Sequence, residues 1–147
     1  MLKGSLPEVF LDTDVCFDII SKREPHFEQS VKLLELAAQD RISLMISESS
    51  LANLIYLSFD IYKIDHVAEK LVDFIRASNV VSGGKPVMLY ALRSSFKYKK
   101  DALQYYTAQH HEADYFITRN INDYKNHIEF LTVLSPKGFM DSINSEK

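Results

Sequence analysis

The sequence predicts an α/β protein, a three-layer sandwich in which a mainly parallel five-stranded sheet has helices on both faces. Five short apolar runs alternate with longer stretches of helical periodicity, and this alternation is typical of parallel sheets with helical crossovers. The chain has 147 residues, of which 46% are hydrophobic and 25% are charged. Because that length and composition are those of one globular domain, we expect a single domain over residues 1–147.

The five predicted strands are short apolar runs. The first, at residues 9–11, is apolar at every position and ends at Asp12, as expected of a strand that is buried on both faces. The other four are predicted at residues 42–46, 79–81, 115–117 and 131–133. The crossovers that join such parallel strands should be right-handed.

The predicted helices lie between these strands, where apolar residues recur every three to four positions. A helix is expected at residues 15–20 and another at residues 101–111. The other expected helix faces are Phe27, Val31, Leu34 and Ala38; Leu51, Leu54, Ile55 and Ser58; Val67, Leu71, Phe74 and Ile75; and Met88, Ala91, Leu92 and Ser95. Residues 82–86 contain two glycines and a proline, which predicts a loop.

The composition excludes several classes of protein. Cys16 is the single cysteine, so an internal disulfide is excluded, and we expect a small buried apolar side chain at this position. No apolar run approaches the ~20 residues that a membrane span needs. Residues 1–8 lack the apolar core of a secretory signal. We therefore expect a cytoplasmic protein that does not bind a membrane.

The charges are distributed unevenly along the chain. The formal net charge of −3 gives no general reason to expect nucleic-acid binding. Residues 74–100, however, contain no acidic residue, and their basic residues are Arg76, Lys85, Arg93, Lys97, Lys99 and Lys100. A basic segment can contact phosphates, although a solvated helix face is the simpler alternative. The candidate nucleic-acid contacts are Arg93, Lys97, Lys99 and Lys100.

Polar residues gather where the predicted strands end, and ligands of parallel sheets bind beyond the carboxyl ends of the strands. The residues expected to converge there are Asp12, Asp14, Asn53, Asp101, Thr118, Arg119, Asn120 and Asp123. Carboxylate and amide oxygens are ligands that suit Mg²⁺ or Mn²⁺. A cation held in this way can polarise a phosphodiester and activate water.

Most of these residues also have a structural explanation. Asp14 and Asp101 stand where the N-cap of a helix is expected, and Asp123 is compatible with a turn. Arg119 could contact a substrate phosphate or form an ion pair with one of the same aspartates. Asp12 is the hardest to explain structurally, because an aspartate that ends an apolar strand needs a partner to offset its desolvation.

Four segments contain recognisable motifs, which are VFLDTDV at 9–15, DALQYYTA at 101–108, ADYFITRN at 113–120 followed by NDY at 122–124, and Ser135-Pro136 with Phe139. In that order they resemble the opening Asp-Thr-Asn strand, the "DALQYATA" helix, the "ADYIVTRN…KDF" segment and the closing "TPEEFL" segment of PIN domains. The resemblance extends from Val9 to Met140. It is to the bacterial single-domain branch, which includes VapC-type toxins.

The resemblance implies a PIN-like sandwich and an Mg²⁺- or Mn²⁺-dependent ribonuclease that is often dimeric and often neutralised by a small antitoxin. The family's metal cluster has four acidic positions, and the residues here are Asp12, Asn53, Asp101 and Asn120, with Asp123 as a substitute for the fourth. The resemblance thus implies Asp12, Asp101 and Asp123 as catalytic residues and metal ligands. Asn120 is implied as a further ligand, and Asp14, Asn53, Thr118 and Arg119 as supporting residues.

Departures from the family pattern leave alternatives open. Asn53 stands where the family has a glutamate, and Lys99 and Lys100 stand where acidic residues often precede the third position. Both changes should weaken metal binding, because Mg²⁺ sites rely on carboxylates; the lysines could bind an RNA phosphate instead. A catalytically decayed module that binds nucleic acid or protein is therefore an alternative. A lesser alternative is a HAD-like phosphatase, whose opening motif fits residues 11–15 but whose later acidic pair has no counterpart.

Overall fold

In the computed structural model, residues 5–127 and 131–145 form five strands and seven α-helices. The strands are β1 (Glu8–Leu11), β2 (Ser43–Ser47), β3 (Asn79–Val81), β4 (Tyr115–Ile117) and β5 (Thr132–Leu134). The helices are α1 (Thr13–Ser21), α2 (Phe27–Ala38), α3 (Glu48–Tyr56), α4 (Val67–Arg76), α5 (Gly84–Arg93), α6 (Lys99–His110) and α7 (Pro136–Ser145). A π-helical segment, Leu57–Ile61, follows α3, and two 3-10 turns, Ile121–Asp123 and Lys125–His127, follow β4.

All strand pairs are parallel, and the strand order is β3-β2-β1-β4-β5. The chain therefore builds the sheet outward from β1 to β3 and then returns to the other side of β1 for β4 and β5. The order reverses between β1 and β4. In open parallel sheets a crevice forms at such a reversal, beyond the carboxyl ends of the two strands. The predicted α/β sandwich is confirmed, with an all-parallel sheet.

The sheet separates two hydrophobic cores, because successive side chains of a strand point to opposite faces. Val9 and Leu11 of β1 pack into the core that α1, α2, α3, α4 and α7 cover. Phe10 packs into the core that α5 and α6 cover, where its ring stacks on Phe116 of β4 at a centroid distance of 5.4 Å. Since residues 9–11 of β1 are buried on both faces of the sheet, all three must be apolar, as the sequence analysis predicted.

The positions of the helices agree with the periodicity, but three of the predicted faces are partly wrong. In α3 Leu51 and Leu54 are buried as predicted, whereas Ile55 is 48% exposed. In α2 the fully buried residues are Ser30, Leu33 and Leu36, and the predicted apolar line through Leu34 lies at the edge of the buried face. This occurs because α2 contacts both α1 and α7, so that its buried line runs between those two neighbours. In α5 Ala91 is buried as predicted, whereas Met88 is 52% exposed.

The predicted loop at residues 82–86 is also shorter than expected. α5 begins at Gly84, which has a φ of +68°, so Lys85 and Pro86 lie in the first helical turn. Proline is tolerated there because the first turn of a helix needs no main-chain donor. None of the described helices is long and apolar enough to cross a membrane. Cys16 is buried, as expected.

Candidate functional site at the carboxyl ends of β1 and β4

The candidate site lies where β1 and β4 end side by side. The main-chain N of Asp12 donates to the carbonyl of Ile117 at 2.9 Å, and the N of Thr118 donates to the carbonyl of Leu134 at 3.0 Å. These bonds extend the strand pairing by one residue. Asp12 and Thr118 are therefore held next to each other at the point where the strand order reverses.

Asp12 is 6% exposed, and its carboxylate accepts three hydrogen bonds. Oδ1 accepts from the main-chain N of Thr13 at 2.8 Å, which makes Asp12 the N-cap of α1. Oδ2 accepts from the Thr118 hydroxyl at 2.8 Å and from the Tyr124 hydroxyl at 3.0 Å. Burial raises the pKa of Asp12, the three donors oppose that rise, and the charge of Asp123 adds to it. Asp12 therefore has both a structural role and an unfavourable buried charge.

Asp14 lies in the first turn of α1 and is not its N-cap, so the capping alternative is wrong for this residue. Its Oδ2 accepts from the main-chain N of Arg119 and from Nδ2 of Asn120, each at 3.1 Å. Its Oδ1 is buried and has no hydrogen-bond partner among the described residues. Burial, followed by the charge of Asp12, raises the pKa of Asp14 to about 7. Asp14 thus holds the segment after β4 against α1.

Asp101 is the third residue of α6, whose N-cap is Tyr98, so the capping alternative is wrong here as well. Burial raises the pKa of Asp101 to about 6, and the charges of Asp12 and Asp123 contribute to that rise. The carboxylates of Asp12, Asp101 and Asp123 are therefore close enough to repel one another. Asp123 ends the first 3-10 turn after β4 and is exposed.

The Tyr124 side chain is wholly buried beside these aspartates. Its hydroxyl donates to Oδ2 of Asp12, and a hydrogen bond with the same hydroxyl lowers the pKa of Asp101. Burial and the two carboxylates raise the pKa of Tyr124 far above its usual value, so the hydroxyl remains a donor. The residue types proposed for the site did not include tyrosine. The sequence feature that could have identified Tyr124 is its position in the NDY segment, where the family pattern has phenylalanine.

The two asparagines at family ligand positions lie in different surroundings. Asn120 is exposed and donates to Asp14 at 3.1 Å, and its main-chain N donates to the Thr118 hydroxyl at 3.0 Å. Asn53 is half-buried on α3. Within the described residues its side chain makes no hydrogen bond to an aspartate of the site.

A buried hydrogen-bond network links the helices around the site. The hydroxyls of Thr13 and Ser50 are 2.7 Å apart, and the Ser50 hydroxyl donates to Oε1 of Gln104 at 2.7 Å. The Ser47 hydroxyl donates to the same oxygen at 3.1 Å. The network joins α1, the start of α3 and the helix that contains Asp101. The amino-acid pattern did not reveal it, although Gln104 lies within the DALQ motif.

Arg119 forms an ion pair, but with a partner other than the aspartates considered. Its Nε lies 2.6 Å from Oδ2 of Asp18, which is wholly buried in α1. Arg23 is a more distant partner of Asp18, at 3.8 Å. The main chain of Arg119 thus binds Asp14 while its guanidinium binds Asp18.

The four candidate nucleic-acid contacts are exposed at the junction of α5 and α6. Lys99 donates to the carbonyls of Ser94 and Phe96, at 2.7 and 3.1 Å, and so satisfies main-chain acceptors that follow α5. Lys97 lies over the exposed ring of Tyr98 at 5.2 Å from its centroid. The charge of Lys100 lowers the pKa of Asp101, which places it beside the aspartates.

The carboxylate oxygens of the site are ligands that suit a hard divalent cation, but they do not form a complete coordination shell. Asp12, Asp14 and Asp101 are carboxylates whose burial and mutual repulsion a cation would relieve, and Oδ1 of Asp14 has no other partner. In the part of the chain that the structure describes, no three His, Cys, Asp or Glu side chains are grouped so as to hold a metal ion. A bound cation would therefore have to draw the carboxylates together or complete its coordination with water.

Residues 8–122 match the PIN domain family, and the chain belongs to that family. This membership excludes the HAD-like phosphatase alternative. The fold is similar to that of VapBC2 from Rickettsia felis, in a crystal structure with a DNA fragment from their promoter. That likeness has a TM-score of 0.68 and 25% identity over 86% of this chain and 96% of that chain.

A second similar structure is a toxin–antitoxin complex from Klebsiella pneumoniae. Its TM-score is 0.63, with 23% identity over 87% of this chain and 97% of that chain. No curated protein is significantly similar to this chain in sequence. The family match ends at residue 122, so Asp123 and Tyr124 lie immediately beyond it.

Proposed function

We propose that this PIN domain is an Mg²⁺- or Mn²⁺-dependent endoribonuclease and the toxin of a toxin–antitoxin pair, acting in the cytoplasm. The observation that supports this most is the group of mutually repelling carboxylates at the reversal of strand order, where the pKa values of Asp12 and Asp101 are both raised. Carboxylates that are desolvated and repel each other are a costly arrangement for stability alone. A cation that binds between them would offset that cost.

In this proposal Asp12, Asp101 and Asp123 hold the cation, with Asn120 as a further oxygen ligand. The metal would polarise the phosphodiester and lower the pKa of a bound water. Hydrolysis would then proceed without a covalent enzyme intermediate. Thr118 orients Asp12 through its 2.8 Å hydrogen bond. Asp14 positions Asn120. Asn53 on α3 would orient a water or a ligand rather than contribute charge.

The RNA strand would approach from the α5–α6 junction. Arg93, Lys97 and Lys100 are exposed there and can contact phosphates, and Lys100 lies beside Asp101. Lys99 is the weakest of the four candidates, because its ammonium already bonds to two main-chain carbonyls. Positive charge beside the carboxylates would hold a phosphodiester next to the cation.

Protein partners are proposed from two observations. One similar structure is described as a toxin–antitoxin complex and another as VapBC2, which supports an antitoxin partner for this chain. In addition, large apolar side chains of α3 and the following π-helical segment are exposed: Ile55, Tyr56, Phe59 and Ile61. An exposed apolar patch of this kind is typical of protein interfaces. An antitoxin or the second subunit of a homodimer would cover it.

A second candidate function is a binding module with a decayed metal site. It is favoured by Asn53 and Asn120, which lack the charge of a carboxylate, and by the Tyr124 hydroxyl, which bonds to the Asp12 oxygen that a metal would use. Such a module would bind RNA or protein through the same basic junction without cleaving a phosphodiester.

Cleavage of RNA by the wild type and by Asp101→Asn, in Mn²⁺ and in EDTA, tests the proposal. Asp101 suits this test because its carboxylate caps no helix. Asp65→Asn is the matched control, with the same change of charge on an exposed residue before α4. We expect cleavage only with metal, a loss of about a hundredfold or more in Asp101→Asn, and no change in the control. A folded wild type that binds RNA and never cleaves it would instead establish the binding module.

A further inference from the structure

A pocket with polar and apolar walls, to which Arg119 contributes, lies between the first turns of α2 and α7. Its volume is about 300 Å³. Its polar lining residues are His26, Gln29, Ser30, Arg119, Ser135 and Lys137. The proposed chemistry at the aspartates uses none of these side chains.

The lining is suited to an anion. Arg119 and Lys137 are cationic, and among the described lining residues none is acidic. The pocket also lies at the N-terminal ends of two helices, where the helix dipole favours negative charge. Both cations already have a carboxylate partner, since Asp18 binds Arg119 and Asp141 lies 2.8 Å from Lys137 on the protein surface. The first turn of α2 also contains Glu28, which does not line the pocket.

Ser30 gives the independent indication that a ligand belongs here. Ser30 lines the pocket and is wholly buried, and its Oγ has no hydrogen-bond partner among residues 5–127 and 131–145. Buried hydroxyls are nearly always bonded, and serine can donate to an anionic oxygen. An anion in the pocket would supply the acceptor that Ser30 lacks. The side chains of Gln29 and His26 provide further N–H donors in the same wall.

Arg119 connects this pocket to the candidate site. Its main-chain N donates to Oδ2 of Asp14 at 3.1 Å, while its side chain lines the pocket. The two sites are therefore neighbours on the surface that follows β4. We propose that the pocket binds a phosphate group of the same RNA strand whose neighbouring phosphodiester lies at the aspartates. This inference rests on the proposed function and assigns the pocket as a phosphate subsite for the substrate.

Binding of a short fluorescent mixed-sequence RNA in EDTA, followed by anisotropy at several salt concentrations, tests the subsite in the absence of cleavage. Lys137→Gln removes a phosphate contact, whereas Asp141→Asn frees Lys137 from its surface partner. Lys63→Gln is the charge-matched control, on an exposed residue remote in sequence from both α2 and α7. Ser30→Ala removes the unpartnered hydroxyl.

We expect Lys137→Gln to weaken RNA binding about tenfold and to reduce the slope of log K against log salt by about 0.7. Asp141→Asn should strengthen binding and Lys63→Gln should leave it unchanged. Ser30→Ala should weaken binding without lowering thermal stability, because the free protein loses only an unsatisfied hydroxyl. Inorganic phosphate should compete with the RNA in the wild type and much less in Lys137→Gln.

If Lys137→Gln and Lys63→Gln weakened RNA binding equally, the binding would depend on general charge attraction. That result would overturn the proposed subsite. Inorganic phosphate that binds the pocket without displacing the RNA would overturn the assignment to the substrate strand. Both results leave the proposed function standing, because cleavage is tested separately through Asp101. Conversely, a wild type that shows the expected Lys137 dependence but never cleaves RNA would retain the subsite and lose the nuclease.

Discussion

At the scale of single residues, Tyr124 decides how available the aspartates are to a cation. Its buried hydroxyl donates to the Asp12 oxygen that also accepts from Thr118, and it lowers the pKa of Asp101. In this position the hydroxyl partly offsets the repulsion between the two carboxylates. A cation that binds to Asp12 has to compete with this internal donor.

Removal of that hydroxyl in Tyr124→Phe should strengthen Mn²⁺ binding by about fivefold or more, because an oxygen of Asp12 is released from a charge-assisted hydrogen bond. Isothermal titration calorimetry measures the change. Tyr105→Phe is the matched control: Tyr105 is equally buried, but its hydroxyl donates to the carbonyl of His127. Unchanged or weaker Mn²⁺ binding in Tyr124→Phe would show that the hydroxyl does not compete with the metal.

Asp14 makes the stability of the metal-free protein depend on pH. Its pKa is about 7 in the folded protein, against 3.8 for the unperturbed group, because of burial and the charge of Asp12. Between these two values the folded state binds more protons than the unfolded chain, so this contribution to stability is complete below the lower value and is lost as pH rises through the higher one.

In EDTA, the melting temperature of Asp14→Asn should therefore rise relative to that of the wild type between about pH 5 and pH 8, by a few degrees. The asparagine keeps an oxygen acceptor for Arg119 and Asn120 but carries no charge to bury. Thermal unfolding at both pH values, followed by circular dichroism, measures the difference. A difference between the two proteins that stays constant with pH would mean that Asp14 does not titrate in this range.

At the scale of the elements, the ion pair of Asp18 and Arg119 fastens α1 to the segment after β4. Asp18 is wholly buried and Arg119 lies 2.6 Å away, with Arg23 at 3.8 Å as its other partner. Loss of one member of a buried pair leaves the other charge without compensation, which is more destabilising than loss of both. The contact keeps the main chain of Arg119 against Asp14.

Arg119→Gln should lower the free energy of unfolding by about 3 kcal/mol. The double variant Arg119→Gln, Asp18→Asn should recover part of that loss, since it no longer buries an uncompensated carboxylate. Urea denaturation of the two single variants and the double variant gives the coupling energy. A loss below about 1 kcal/mol in Arg119→Gln would mean that Arg23 alone compensates Asp18.

The elements themselves could be predicted from the sequence because strands and helices have distinct apolar periods. β1 was predictable because its buried residues 9–11 contact both cores and must therefore all be apolar. The buried faces of α2 and α5 were harder to predict. Periodicity locates an apolar stripe, whereas the fully buried line depends on which neighbours contact the helix, as α1 and α7 do for α2. The predicted N-cap of α6 was also wrong, because the helix begins two residues before Asp101.

At the scale of the whole molecule, the place of the site follows from topology. A parallel sheet that grows in both directions from β1 has one reversal of order, and Asp12 and Thr118 end the two strands that flank it. The proximity of Asp12 and Thr118 could therefore be expected from strand order alone. The role of Tyr124, the pairing of Arg119 with Asp18 and the network around Gln104 could not, because each depends on distances between side chains that are far apart in the chain.

The most direct test of the proposed metal site is calorimetric titration of Mn²⁺ into the wild type and Asp101→Asn at about pH 8, because carboxylates must lose their protons to bind a metal. We expect saturable Mn²⁺ binding to the wild type and loss of that binding in Asp101→Asn, which should remain folded. Absence of Mn²⁺ binding to a folded wild type, or equal binding to Asp101→Asn, would contradict a metal site at the carboxyl ends of β1 and β4.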